Sequence, residues 1–259
     1  MTHKVKSHRE SFDLIISKLQ EGNPFTFTRF GDGDYIIMYP ESKNRTIGAS
    51  NRFLVTESLQ RELKECHNIK DDNFLIGTIL NDDSKYSMSP FNGNIDQSRL
   101  DLDNRKELLA MSTLQEIFLT DIDKFVEFPR EMRKTNTMLV GGYNHEYLSR
   151  VYGPITEFVE TPKINSYESI DKWLPLVYNS VHKVDKIVLM SGFSSRVVAK
   201  RLWGLDKMVI DVGSLSDMLV YGTMLRGKII MRRHIENEAG RVLLNGNHIL
   251  QLTRHWNKA

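Results

Sequence analysis

The chain has 259 residues, 40% of them hydrophobic and 26% charged. That is enough for one large domain or two small ones around a sizeable core. A formal net charge of +2 names no nucleic-acid partner by itself, and a single cysteine, Cys66, excludes an internal disulfide. No apolar run approaches the roughly 20 residues that span a bilayer, and the opening MTHKVKSHRE carries no apolar h-region. The expectation is a cytoplasmic chain without a membrane span. It is read as a single domain over residues 1–259 with a basic extension from about residue 226.

The first helix is signalled by Ser7-His8-Arg9-Glu10, which has capping-box spacing. Phe12, Ile15, Ile16 and Leu19 then recur at helical period, and Gly22-Asn23-Pro24 stops the run. Phe25 to Thr28 alternates as a short strand and leads straight into Arg29-Phe30-Gly31-Asp32-Gly33-Asp34, read as a carboxylate loop. Thr56 to His67 reads as a helix, with Leu59, Leu63 and Cys66 on one face. Phe74 to Leu80 reads as a buried strand. Residues 81–98 have the composition of a loop, long enough to suggest function. Residues 71–104 hold seven aspartates against Lys85 and Arg99.

Residues 105–118 are expected to be helical, and Thr137 to Gly142 to be a strand ending at two glycines. The second half has the clearer pattern. It predicts a helix over 169–183, a strand at Lys186 to Met190, a turn at 191–195, a helix over 196–205 and a strand at Lys207 to Asp211. A strand, turn, helix and strand of this length demand parallel pairing through a right-handed crossover. The fold class is therefore α/β, a mainly parallel Rossmann-like sheet with helices on both faces. The last residues are basic, with Arg232, Arg233, Arg241 and Arg254 among them. A solvated face and a contact for an anionic partner both fit that composition.

Ligands of open parallel sheets bind beyond the carboxyl ends of the strands. Each unusual cluster of this chain falls at such an end. Asp32 and Asp34, at i and i+2, can reach one hard divalent cation, and Gly31 and Gly33 let the backbone turn there. Arg29 suits a phosphate or can hold a carboxylate. A surface turn explains the same residues without a ligand. Gly192, Ser194 and Ser195 open a helix whose N–H groups suit an anion, and Ser194 can equally be a helix cap. Asp211-Val212-Gly213-Ser214 and Gly141 to His145 end two other strands. No zinc spacing, no G-x-x-x-x-G-K loop, no G-x-G-x-x-G fingerprint and no G-x-S-x-G elbow is present. Trp173 and Trp203 read as core.

Arg29 to Asp34 closely resembles the R-F-G-D-G-E signature of the GT-D-fold glycosyltransferases, a bacterial family long catalogued as a domain of unknown function. Asp211 to Ser214 is similar to that family's D-I-G-H segment. Met190 to Leu202, MSGFSSRVVAKRL, resembles its A-L-G-P-T-A turn and helix, and Thr161 to Ser166, TPKINS, its segment with proline followed by asparagine. The likeness runs from about residue 7 to residue 218. It departs from the family at Asp34, a glutamate there, at Phe193, a proline there, and at Ser214, a histidine there.

The resemblance implies a metal-dependent transferase that moves a sugar from a UDP-sugar donor to an acceptor hydroxyl. Asp32 and Asp34 would hold Mn²⁺ or Mg²⁺. Arg29, Gly31, Gly33, Asn165, Gly192, Ser194, Ser195 and Asp211 would line the donor, and Asp34, Asp217 and His145 are candidates for the chemistry. A glycan is the default acceptor. The basic C-terminal stretch keeps open a hydroxymethylated DNA acceptor, met first through phosphates. Two other readings stay open: a phosphotransferase or nucleotidyl hydrolase using the same aspartates, and a non-catalytic nucleotide-sugar or polysaccharide-binding protein of the same fold.

Overall fold

Residues along the central strands alternate between two separate cores, as the period of two requires. Phe27, Leu75, Leu139, Val188 and Ile210 enter one core, while Phe74, Ile76, Met138, Val140, Ile187, Leu189 and Val209 enter the other. A sheet buried on both faces must carry helices on both. The computed structural model describes residues 5–39, 55–79, 107–144 and 146–221, and these do form such a sandwich. Seven strands are β1 (Thr26–Arg29), β2 (Phe74–Thr78), β3 (Leu109–Ala110), β4 (Thr137–Gly141), β5 (Ile155–Glu160), β6 (Lys186–Met190) and β7 (Met208–Asp211). Their order is β3-β2-β1-β7-β6-β4-β5, and every pairing is parallel. The expected α/β architecture is the one observed.

One face is covered by α1 (His8–Glu21), α4 (Thr113–Thr120), α5 (Ile122–Phe125), α6 (Glu127–Met132), α7 (Glu146–Tyr152) and α10 (Leu215–Tyr221). The other is covered by α2 (Asp32–Met38), α3 (Glu57–His67), α8 (Ile170–Ser180) and α9 (Ser194–Leu202). Local chemistry sets the ends. Ser7 caps α1: its hydroxyl accepts from the Glu10 N–H, and the Ser7 N–H donates to the Glu10 carboxylate at 2.9 Å, a complete capping box. The helix ends at Gly22, in the left-handed region with φ 73°. Thr56 caps α3 with a single bond, its hydroxyl accepting the Leu59 N–H at 3.1 Å. The apolar stripe of α1 (Phe12, Ile15, Ile16, Leu19) is buried throughout, and each such side chain contributes roughly 1.5–3 kcal/mol.

Several expected elements differ in detail. Asp32 to Asp34 is the first turn of α2 rather than a loop. The helix expected over 105–118 begins only at Thr113. Leu109 and Ala110 instead form an edge strand on the carboxyl end of β2, pairing Gly77 with Leu109 and Thr78 with Ala110. The helix expected over 169–183 is α8, with short 3₁₀ turns at Ser166–Ser169 and Val181–Lys183. The edge strand β5 and the helices α5, α6, α7 and α10 carried no signal that stood out. Trp173 is buried, and Trp203 is half-buried against Phe74. The loop expected over 81–98, His145 and the basic stretch from residue 226 lie outside the described residues. Among the described residues no helix is long and apolar enough to cross a membrane.

Candidate functional site

β1, β7 and β6 lie side by side at the centre of the sheet, so the segments leaving their carboxyl ends share one crevice. From β1 the chain passes through the buried Phe30 and enters α2 with Gly31 as an extended cap, φ −96°. Asp34 stands at the third helical position. Its Oδ2 accepts the Gly31 N–H at 2.8 Å, so the second carboxylate of the motif looks back at its own turn. Negative charge in a first helical turn is favourable, and the Asp34 carboxylate satisfies the Gly31 N–H at the helix entry.

The turn after β6 is built from hydroxyls. The Ser166 hydroxyl donates to the Ser191 carbonyl at 2.8 Å, so in its 2.7 Å contact with Ser194 it can only accept, and Ser194 is the donor. Ser195 Oγ accepts the Ser191 N–H at 3.0 Å. Both hydroxyls are buried and committed to the turn. Phe193 packs against Gly33, where an added Cβ would lie 3.0 Å from the ring. This contact fastens the start of α9 to the start of α2.

After β7, Asp211 Oδ1 accepts the Gly213 N–H at 3.0 Å. Gly213 has φ 51°, and a Cβ there would meet the Arg29 guanidinium at 2.4 Å, so only glycine permits this approach. Arg29 Nη1 donates to the Val212 carbonyl at 3.1 Å, which also accepts from Gln115 Nε2 at 3.0 Å.

The three segments meet at Arg196, a residue with no assigned role in the sequence reading. It sits in the first turn of α9 and is buried. Nη2 donates to Asp34 Oδ2 at 3.0 Å, Nη1 lies 3.1 Å from Asp211 Oδ2, and Nη1 also donates to the Gly192 carbonyl at 2.8 Å. Arg29 and Arg196 against Asp34 and Asp211 make a buried, charge-balanced group. Burial pushes the Asp34 carboxyl up to about 6, against the Arg196 guanidinium and the Gly31 N–H, which pull it down. Burial works against the Arg196 charge too, but Asp211 and Asp34 together hold it above its ordinary value. Burial pulls Arg29 down, and Asp211 only partly offsets this. The pair is unequal because Arg196 faces two carboxylates, whereas Asp34 Oδ1 is buried without a hydrogen-bond partner.

These contacts test the expected cation site. Asp34 is 2% exposed, its Oδ2 already serves two donors, and a cation at Oδ1 would stand beside a guanidinium. Among the described residues no three His, Cys, Asp or Glu side chains cluster as metal ligands. Asp34 and Asp211 therefore do not fit a divalent cation as they stand. The Asp32 side chain lies outside what is described, as does His145. Asn165 adopts a left-handed conformation, φ 53°, just before the 3₁₀ turn that presents Ser166. Asp217, in the first turn of α10, accepts a hydrogen bond from the Tyr143 hydroxyl at 2.8 Å.

The sequence reading placed Tyr143 only within the Gly141 to His145 cluster, and it missed Gln115 and, above all, Arg196. One signal for Arg196 existed: it is the only charged residue in the run Ser194 to Ala199, all of it buried.

No protein-family model matches the chain, and no curated protein matches its sequence. Solved structures do. A glycosyltransferase from Streptococcus sanguinis containing domain of unknown function 1792 superposes with a TM-score of 0.64 at 14% identity, over 86% of each chain. A structure of this domain described as having a distinct glycosyltransferase fold gives 0.60 at 16% identity, over 85% of this chain and 83% of the other. A selenomethionine form of the domain gives 0.62 at 16% identity over the same shares. At these identities the likeness shows the fold, and the fold is the one expected from the R-F-G-D-G resemblance.

Proposed function

We propose that the protein is a glycosyltransferase that moves a sugar from a UDP-sugar donor to an acceptor hydroxyl. The observation that carries this reading is the meeting of Arg29, Asp34, Arg196 and Asp211 at the carboxyl ends of β1, β6 and β7. That crevice is where parallel sheets bind ligands, and a structural neighbour with the same fold is described as a glycosyltransferase. The identity of the nucleotide comes from the motif resemblance.

Each residue has a role in this reading. Arg29, held over Gly213, meets the donor diphosphate through its guanidinium edge. The start of α9 directs backbone N–H groups toward the same anion. Asn165 shapes the wall beside Ser166. Asp217, oriented by Tyr143, takes the proton of the acceptor hydroxyl, for which hydrogen-bond reach is the requirement. The cation expectation, Mn²⁺ or Mg²⁺, rests on Asp32 at the first position of α2. The chemistry such an ion would supply is uptake of the negative charge that leaves on the diphosphate. A glycan is the proposed acceptor. Hydroxymethylated DNA is the alternative, motivated by Arg232, Arg233, Arg241 and Arg254, and steep weakening of its binding with salt would identify it.

The test is release of UDP from a panel of UDP-sugars, with and without mixed glycan acceptors. Release that depends on acceptor is the expected result. Release without any acceptor would make the protein a hydrolase. Binding of UDP with no turnover under any condition would leave a nucleotide-sugar-binding protein.

A further inference from the structure

We propose that Asp34, Arg196 and Asp211 act as one ion-paired positioning unit that fixes the three segments around the donor crevice, and that Asp34 does this instead of coordinating a cation. The inference rests on the donor-site reading but concerns the residues themselves.

The geometry is specific. One guanidinium donates from Nη2 to Asp34 and from Nη1 to the Gly192 carbonyl, and Nη1 is also in ion-pair contact with Asp211 at 3.1 Å. It thereby ties the end of β1, the turn after β6 and the end of β7 into one rigid group. Backbone donors anchor the same carboxylates, the Gly31 N–H at Asp34 Oδ2 and the Gly213 N–H at Asp211 Oδ1, while Asp34 Oδ1 and Asp211 Oδ2 are buried without a hydrogen-bond partner and lean on the guanidinium charge. Asp211 is fully buried and Asp34 nearly so.

A cation in the first turn of α9 faces the positive end of the helix dipole, an unfavourable place. Its presence there is explained by the two carboxylates opposite. Arg29, lying on Gly213 within electrostatic reach of both carboxylates, completes the balance. The role of Asp34 is thus set by Arg196, and the shorter aspartate in place of glutamate belongs with that pairing. A guanidinium spanning two carboxylates cannot be replaced by lysine, whose ammonium is a single point of charge.

Three variants of the full chain decide the matter: Asp34→Asn, Arg196→Met and the double variant. Asp34→Asn leaves the four-residue group one charge positive, Arg196→Met leaves it one charge negative, and the double variant restores neutrality. The expected result in thermal unfolding is strong coupling, with the double variant melting above Arg196→Met alone. Additive losses would overturn the unit. Mn²⁺ alone, titrated by water proton relaxation, reads the second half of the proposal. Asp34→Asn is expected to match the wild type within about twofold, and a loss of about tenfold or more would make Asp34 a ligand and overturn it.

UDP affinity supplies a readout that a merely structural role would not move. Asp34→Asn and Arg196→Met are expected to lower it by the same factor in Mn²⁺ and in EDTA. A loss confined to Mn²⁺ contradicts the proposal. Absence of UDP binding by the wild type would sink the donor-site reading, while the unfolding cycle and the Mn²⁺ titration would still decide the inference.

Discussion

Arg196 and Gly213 are the two residues whose chemistry is most exposed to test. Removing the guanidinium in Arg196→Met leaves Asp34 and Asp211 buried without the cation that pairs them, and Arg29 acts on them through its charge rather than by contact. Breaking a buried ion pair by deleting one partner typically costs about 3–5 kcal/mol, and denaturant unfolding should show a loss of that size. At Gly213 two effects add. A side chain at φ 51° is strained by about 1–3 kcal/mol, and its Cβ would enter the Arg29 guanidinium. Gly213→Ala should therefore lower stability in urea melts and weaken UDP binding together. A variant that melts lower yet binds UDP normally would detach Arg29 from the donor.

Much of this residue scale was readable. Arg29 to Asp34 stands out because two Gly-Asp pairs follow a strand directly, and Asp211 because it closes the last strand ahead of a glycine turn. Arg196 does not, because its partner Asp34 is 162 positions away and its one local mark, a lone charge in the run Ser194 to Ala199, does not name that partner.

At the scale of elements, the contact of α3 with α9 carries its own electrostatics. Glu62 on α3 accepts from Arg201 on α9 at 2.6 and 3.0 Å and from the Tyr167 hydroxyl at 2.9 Å. Lys200 pairs with Glu65 beside it. Burial would raise the Glu62 carboxyl, but Arg201 and Tyr167 outweigh it and hold the group below the usual glutamate range. A depressed carboxyl stabilises the fold fully above its unfolded pKa of about 4.3 and loses that contribution as pH falls through the folded value. Melting temperature should thus fall more steeply below about pH 4.3 in the wild type than in Glu62→Gln. Equal slopes would remove the clamp from the account.

The strands β4, β6 and β7 were legible because fully buried parallel strands read as continuous apolar runs. β5 was hidden by Glu157 and Glu160, charges of the kind that edge strands tolerate. Leu109-Ala110 reads as helix in the sequence because a two-residue strand has no period of its own, and its state is decided by β2 alongside. The first turn of α2 reads as loop in the sequence because two glycines and two aspartates argue against a helix, and only the bond from the Gly31 N–H to Asp34 reverses that.

For the whole molecule, an all-parallel sheet with strands β1, β7 and β6 at its centre concentrates the chemistry at one edge. The alternation of strands and helices after residue 137 made this architecture legible, whereas strand order depends on pairings that no local pattern encodes. Membership of one crevice is therefore a result of the fold, and the donor-site reading depends on it. The most direct measurement is calorimetric titration of UDP into the protein with Mn²⁺ present, for the wild type and for Arg29→Met. The account predicts saturable binding of one UDP per chain and a loss of about tenfold or more in the variant. Binding of UDP unchanged by Arg29→Met, or no binding of UDP at all, would contradict a nucleotide-sugar site at these strand ends.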